Sequence, residues 1–316
     1  MKYIIYFLKL FLDSIRDTSK IVKYFNLIKI NGYFVIIKLF IIRFFYAFSF
    51  IRNIRKIKIS ENKELKPSFT SDSLDLNQEI KKIDLKGFSN TYSLKQNCLE
   101  KLRSEILDNK KNINIKKDYK IDLFKRDEEN QIKYINRLKD NNISRLTGVL
   151  NLEDFFDLKK IVLSNEILEI VSNYIGSNTI SINSTYFISL PLDTDKYEKY
   201  ENAQFFHWDN DFTKFLKLYI YLSDVDDLSG PHAYVAGSHK NKKLDHSLTR
   251  LYSDKDIYSS YNDIKIFHGK EGSFFFTDSY GIHKGMSPTK NYRIMLNIHF
   301  GNNKIKYHKD DLIINI

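Results

Sequence analysis

At residue 179 the sequence changes period, and that switch constrains the fold more than anything else in the chain. Residues 179–190, TISINSTYFISL, set apolar side chains at every second position and stop at Pro191. Successive side chains of an extended chain point to opposite faces, so this alternation marks a half-buried strand. Residues 217–222 (KLYIYL), 273–277 (SFFFT) and 292–300 (YRIMLNIHF) also read as strands, divided by turn signals at Asp226-Asp227, Gly230-Pro231 and Gly237. Several short strands separated by turns argue for an all-β barrel or sandwich. Upstream the pattern is helical, at 90–107, at 124–140 and as two short helices over 151–176. Ser164 stands at the N-cap of the second short helix, and Gly176 lies just past its end. The expected class is mainly β with flanking helices.

The net charge of +11 would suggest an acidic partner until it is located. Residues 1–60 hold twelve Lys or Arg against two Asp, whereas the other 256 residues hold 38 basic and 37 acidic groups. The body is neutral, and the basicity sits in the most apolar part of the chain. Over residues 1–23, Lys2, Lys9, Asp13, Arg16, Lys20 and Lys23 fall on one side of a helix, opposite Ile4, Phe7, Leu8, Phe11, Ile15 and Val22. Charges recur throughout and there is no small-residue cleavage site after them, which argues against a signal peptide. A second apolar run, residues 33–51, is interrupted by Lys38 and Arg43. Each cation costs about 2.5–3.5 kcal/mol at a bilayer centre, while each Ile, Leu, Phe or Val returns about 0.3–0.6. The balance is close to neutral. A helical extension lying in a membrane interface is the leading expectation; a soluble helical subdomain and a span stay open beside it. Nucleic acid is disfavoured as a partner, because these cations are embedded among Phe, Ile and Leu with no recognised nucleic-acid fold around them. The single Cys98 rules out an internal disulfide and fits a reducing, cytoplasmic setting, at the inner face of the membrane if the extension binds there.

The chemistry-bearing stretch begins at His207-Trp208-Asp209. Two residues apart on an extended chain, the imidazole and carboxylate share a face and can converge on one point. With a later His such a pair makes the two-His-one-carboxylate triad of non-haem Fe(II) sites, although alone it reads equally well as a surface turn. Downstream landmarks give it weight: Gly230-Pro231, then Gly237-Ser238-His239-Lys240, then Gly272 to Asp278, then Gly281-Ile282-His283-Lys284-Gly285, with Arg293 ten residues past that His.

This ordered set resembles the phytanoyl-CoA dioxygenase-like family of Fe(II)/2-oxoglutarate-dependent oxygenases, over roughly residues 85–302 and densely from His207 to Phe300. The resemblance implies a double-stranded β-helix (jelly-roll, cupin-like) core, with His207, Asp209 and His283 as iron ligands. It implies that Arg293 binds the distal carboxylate of 2-oxoglutarate and that O2 is the oxidant. Ala236 stands where the family often has Pro. Halogenating relatives replace the ligand carboxylate with a small residue, so Asp209 points to hydroxylation of an unactivated C–H. Alternation places Arg293, Met295, Asn297 and His299 on one face of their strand, and an Arg pointing into a barrel calls for a buried anion. Lys217 and Ser287 are weaker candidates for holding the co-substrate, each as readily a surface residue. His239 reads as structural.

The expected organisation is a helical extension over 1–60, a linker over 61–84, an oxygenase domain over 85–303 and a tail over 304–316. Residues 241–270 separate two core strands and read as a specificity loop or lid. The expected partner is a small-molecule substrate, lipidic or lipid-linked if the extension touches a membrane through residues 1–58. Two other functions remain open. One is a cupin-type enzyme using Zn or Mn, which has no use for Arg293; the other is a non-catalytic jelly-roll binding protein.

Overall fold

A computed structural model describes residues 18–45, 64–108, 113–115, 136 and 138–316, apart from 66–67, 71, 142, 194–198, 200–201, 210, 212, 244–245 and 247–250. Most of the expected helices at 1–23 and 124–140, and the end of the apolar run beyond residue 45, lie outside the described residues.

The helices that frame the barrel are α1 (Thr18–Asn31), α2 (Phe34–Phe45), α3 (Leu76–Lys86), α4 (Gln96–Asp108), α5 (Phe156–Val162), α6 (Asn165–Ile175) and α7 (Asp254–Ser260). The strands are β1 (Glu64–Leu65), β2 (Leu74–Asp75), β3 (Tyr92–Ser93), β4 (Ile113–Ile115), β5 (Arg145–Leu150), β6 (Thr179–Ser189), β7 (Phe206–His207) and β8 (Phe215–Tyr221). They continue as β9 (His232–Val235), β10 (Leu251–Tyr252), β11 (Ile264–Phe267), β12 (Ser273–Thr277), β13 (His283–Gly285), β14 (Arg293–Gly301) and β15 (Leu312–Asn315). The larger sheet runs β3-β12-β8-β14-β6-β5-β4, with β15 also on β6, and the smaller runs β10-β7-β13-β9-β11. Every described pairing within the two sheets is antiparallel. The architecture is a jelly roll with helices on the outside.

Alternation along the strands builds three layers. The outer face of the larger sheet carries Ile182, Tyr186 and Ile188 of β6, Leu218 and Ile220 of β8, and Leu296, Ile298 and Phe300 of β14. Helices α3 to α6 bury their apolar stripes against it, through Ile80 and Ile83, Leu99 and Leu102, Leu158 and Ile161, and Ile170 and Tyr174. Between the sheets lies a smaller aromatic cluster of Tyr219, Tyr221, Tyr234, Phe267, Phe275 and Met295. Behind the smaller sheet Phe206, Trp208, Ala233, Val235 and Ile282 form the third layer, closed by Leu27 of α1 and Val35 of α2.

Three stretches differ from the expected organisation. Residues 74–84 fall in the stretch read as a linker, yet α3, which begins there, packs into the core. Asp75 caps it by accepting from Gln78 N–H at 3.0 Å, Gly87 ends it at φ 87°, and Leu76, Ile80 and Ile83 line the buried side. Polar composition masked that spacing. Residues 312–315, read as a tail, pair with β6 as β15. Residues 241–270, read as a loop, supply both edges of the smaller sheet: β10 pairs with β7, and β11 with β9. Between them α7 is capped by Ser253, which accepts from Asp256 N–H at 3.1 Å.

The N-terminal hairpin docks rather than trails. Asn31 donates from Nδ2 to the Lys306 carbonyl at 2.7 Å and accepts Lys306 N–H on Oδ1 at 2.9 Å, so one side chain takes both backbone groups of one residue. Among the described residues no helix is long and apolar enough to cross a membrane.

Candidate metal centre

The smaller sheet brings His207 and His283 together by register. β7 and β13 are neighbours, and the two histidines are directly opposed, with ring centroids 4.4 Å apart. Asp209 lies two residues past His207, and its backbone N–H is held by the Ser279 carbonyl at 2.9 Å. Its carboxylate oxygens stand 4.0 Å from His207 Nε2 and 3.6 Å from His283 Nε2. One ligand atom from each of the three residues lies within 4.8 Å of the others. Facial ligands about 2.1 Å from an octahedral ion lie about 3 Å apart, so small side-chain adjustments bring the set onto one ion.

Both imidazoles are oriented by the backbone. His207 Nδ1 donates to the Phe205 carbonyl at 2.8 Å, and His283 Nδ1 donates to the Gly281 carbonyl at 2.9 Å. A carbonyl only accepts, so each Nδ1 carries a proton, and each Nε2 is the nitrogen that lies toward Asp209. Burial pushes the His283 imidazole down to about 3, with His207 beside it adding to the effect. It is therefore neutral, as a metal ligand must be. The close approach at Gly281 requires glycine, since a Cβ there would stand 1.9 Å from Tyr234 Oη. Trp208, between the two ligands in sequence, points the other way and packs against Tyr280 at 5.3 Å.

Lys217 of β8 points into the barrel and pairs with Asp209 Oδ2 at 2.6 Å. Burial alone would lower its ammonium pKa, but the Asp209 carboxylate outweighs that and raises it. Lys217 therefore supports a candidate ligand; it is not a surface residue. Ser287 is half-buried. His239 ties the turn after β9 to α3 by donating from Nε2 to the Asp84 carbonyl at 2.9 Å.

Arg293 opens β14 with its side chain in the barrel and 5% exposed. It donates to the Gly230 carbonyl and, at 3.4 Å, to Ser189 Oγ, and its Nε has no partner. A Cβ at Gly285 would come 3.0 Å from Arg293 Nη2, so glycine on β13 makes room for the guanidinium. Burial lowers the pKa of Arg293.

Two interior residues escaped the sequence reading. Arg145 on β5 lies in one register row with Ser189 and Arg293, across β5, β6 and β14. Its guanidinium carbon stands 4.2 Å from the centre of the Phe187 ring, it donates to the Asn202 carbonyl, and its Nε has no partner. His232 on β9 is buried, tilted on Tyr219 at 4.7 Å, with Nε2 unpartnered. Burial holds its imidazole well below the usual histidine range, and His283, Arg293 and Lys217 reinforce the shift. A signal for Arg145 existed in the alternation of Leu146 and Leu150, both in the outer core, with Arg145, Thr147 and Val149.

The donor set of two imidazoles and a carboxylate fits Fe(II) or a similar divalent ion. The orphaned guanidinium and imidazole nitrogens nearby fit an organic anion beside it.

No protein-family model and no curated protein matches the sequence. Solved structures align with the chain at low identity. HygX from Streptomyces hygroscopicus, with nickel and 2-oxoglutarate bound, aligns at TM-score 0.48 and 14% identity, over 72% of this chain and 87% of that one. AviO1 from Streptomyces viridochromogenes gives 0.46 and 13%, over 74% and 98%. The non-heme alpha-ketoglutarate-dependent carbocyclase SnoK from nogalamycin biosynthesis gives 0.44 and 16%, over 71% and 82%. Likeness at this level says nothing of chemistry, which rests on the side chains inside the barrel.

Proposed function

We propose that this chain is an Fe(II)- and 2-oxoglutarate-dependent dioxygenase, of the phytanoyl-CoA dioxygenase-like kind, that hydroxylates an unactivated C–H of a small molecule. The observation carrying the reading is the convergence of His207, Asp209 and His283 in the barrel that also buries Arg293. A two-His-one-carboxylate set leaves coordination positions open, which a purely structural metal site does not need. A buried Arg without an acidic partner among the described residues asks for a carboxylate ligand.

When bound, iron supplies oxygen activation coupled to decarboxylation of 2-oxoglutarate to succinate. The chain's part is geometry. The Phe205 and Gly281 carbonyls fix the tautomer and aim of the two imidazoles. Lys217 holds one Asp209 oxygen, which leaves the other for the metal. The fork of Arg293 receives the distal carboxylate, and the Gly230 carbonyl keeps that fork from swinging away. Phe275, Tyr219 and Met295 exclude water from the space between.

The test is succinate formation from 2-oxoglutarate by anaerobically iron-loaded protein on admission of O2, without added substrate. Turnover that needs Fe(II), O2 and an intact Asp209, and vanishes in Asp209→Ala, is expected. No turnover, with no 2-oxoglutarate-induced absorption band on the Fe(II) protein, would move the assignment to a Zn or Mn enzyme or a binding protein.

The N-terminal extension is read as a contact with an anionic membrane surface, and the substrate as lipidic or lipid-linked. What supports this is the hairpin tip. Tyr33 and Phe34 are 83% exposed, and Ile37 and Ile41 continue the same exposed stripe along α2, in a segment carrying nearly all the net positive charge. An exposed apolar stripe on a hairpin that also exposes Lys29 and Lys38 suits an interface of lipid headgroups. Co-sedimentation with anionic vesicles tests it.

A further inference from the structure

Among the described residues, two cations of the barrel stand without a carboxylate partner. Lys217 is matched by Asp209, whereas Arg145 and Arg293 are paired with no carboxylate among the described residues. They are also close enough to oppose each other. Burial and then the Arg293 charge bring Arg145 down to about 10, with Tyr219 opposing the shift. Two guanidiniums in one register row, on either side of Ser189, call for an anionic ligand to offset their repulsion.

Position distinguishes the two. Arg293 lies behind Gly285 and is fully enclosed. Arg145 is partly exposed and sits one strand beyond Ser189, toward the segment that leads into β7. There it is built in: Phe187 stacks beneath it, the Asn202 carbonyl takes one nitrogen, and Asn202 is itself fixed by donating to Ser144 Oγ at 2.8 Å. That leaves the unpartnered Nε and the rest of the fork for a ligand.

We propose that Arg145 is a second carboxylate seat, beside that of Arg293, for an acidic group entering from the barrel mouth. This rests on the oxygenase reading only for the identity of the Arg293 ligand. Two sources share the chemistry: an acidic group on the substrate, or the distal carboxylate of 2-oxoglutarate shared between both guanidiniums. Charge favours the first, since a carboxylate on Arg293 leaves Arg145 without a carboxylate among the described residues.

The experiment uses nickel-loaded full-length protein, in two arms. Calorimetry measures 2-oxoglutarate affinity in wild type, Arg145→Gln, Arg145→Lys and Arg293→Gln. Thermal melting tracks titration with acetate and with inorganic phosphate, with and without saturating 2-oxoglutarate, against chloride at equal ionic strength. A substrate seat predicts 2-oxoglutarate affinity within about twofold of wild type in Arg145→Gln. It also predicts anion-dependent stabilisation that survives saturation with 2-oxoglutarate and disappears in that variant. A shared seat predicts affinity weakened about tenfold or more in Arg145→Gln, several-fold in Arg145→Lys, and no anion effect at saturation. Unchanged affinity in both Arg145 variants together with indifference of the wild type to both anions overturns the proposal. Should Arg145→Gln not fold, the wild-type titration and Arg145→Lys decide by the same criteria. If 2-oxoglutarate fails to bind even wild type, the oxygenase reading falls, while the anion titration in its absence still judges Arg145.

Discussion

At the scale of single residues, the barrel interior is unusual in how many of its histidines are held neutral. Burial brings His299 down to about 3, with Lys217 opposite it in register adding to the shift. A histidine whose folded pKa lies below its unfolded value near 6.5 contributes stability that is complete above about pH 6.5. That contribution is lost as pH falls toward the folded value, because the unfolded chain takes up a proton the native state refuses. Each such group adds a slope of up to about 1.4 kcal/mol per pH unit in that window. The melting temperature of metal-free protein is therefore expected to drop from about pH 7 to about pH 5. His299→Phe, beside the Phe215 ring at 5.1 Å, should flatten that drop; equal slopes for both proteins would refute the account. At this scale the sequence made the three candidate metal ligands legible, because their spacing relative to Gly and Pro landmarks is local. Arg145 was not legible. Its meaning comes from a row across three strands, and register is a property of pairing that no short window contains.

At the scale of elements, the strands that carry the site were readable wherever one face is apolar and the other is not. β6, β12 and β14 lie within a residue or two of their expected bounds, and Arg293, Met295 and His299 share the inward face as alternation requires. β10 and β11 were hidden because each is short and sits in a segment rich in Lys, Asp and Ser; edge strands carry such residues as protection against stray pairing. α3 was hidden because only one narrow side of it is apolar. Gly285 of β13 shows what an element contributes to a site beyond its own side chains. Gly285→Ala should push the Arg293 guanidinium by a few tenths of an ångström. It should weaken 2-oxoglutarate binding several-fold while leaving the fold intact, as calorimetry and melting would register. Unaltered affinity would mean that the guanidinium takes no part in binding it.

At the scale of the whole molecule, the uneven charge of the sequence found a structural counterpart. α1 and α2 close the apolar layer behind the smaller sheet, and their outward stripe is left bare. Docking of this kind was not readable from composition, because Leu27 and Val35 look no different from the exposed Phe34 and Ile37 until the sheet is in place. The membrane reading predicts that full-length protein co-sediments with anionic vesicles, that neutral vesicles retain less, and that Phe34→Ser with Ile37→Ser lowers binding without moving the melting temperature. Equal sedimentation by a chain lacking residues 1–60 would refute it.

β7 is two residues long and is flanked on one side by β13 and on the other by β10, so His207 has Leu251 as its backbone neighbour. The segment after β10 continues the connection: Lys284, next to His283, pairs with Asp254 at 2.7 Å, and Tyr258 stands edge-on to Phe206 at 5.8 Å. The stretch read from sequence as a lid is thus mechanically in series with the strands that aim both imidazoles. On the proposed reading, whatever grips that stretch would tug on the coordination sphere, and the colour of a bound metal would gauge what the protein has caught.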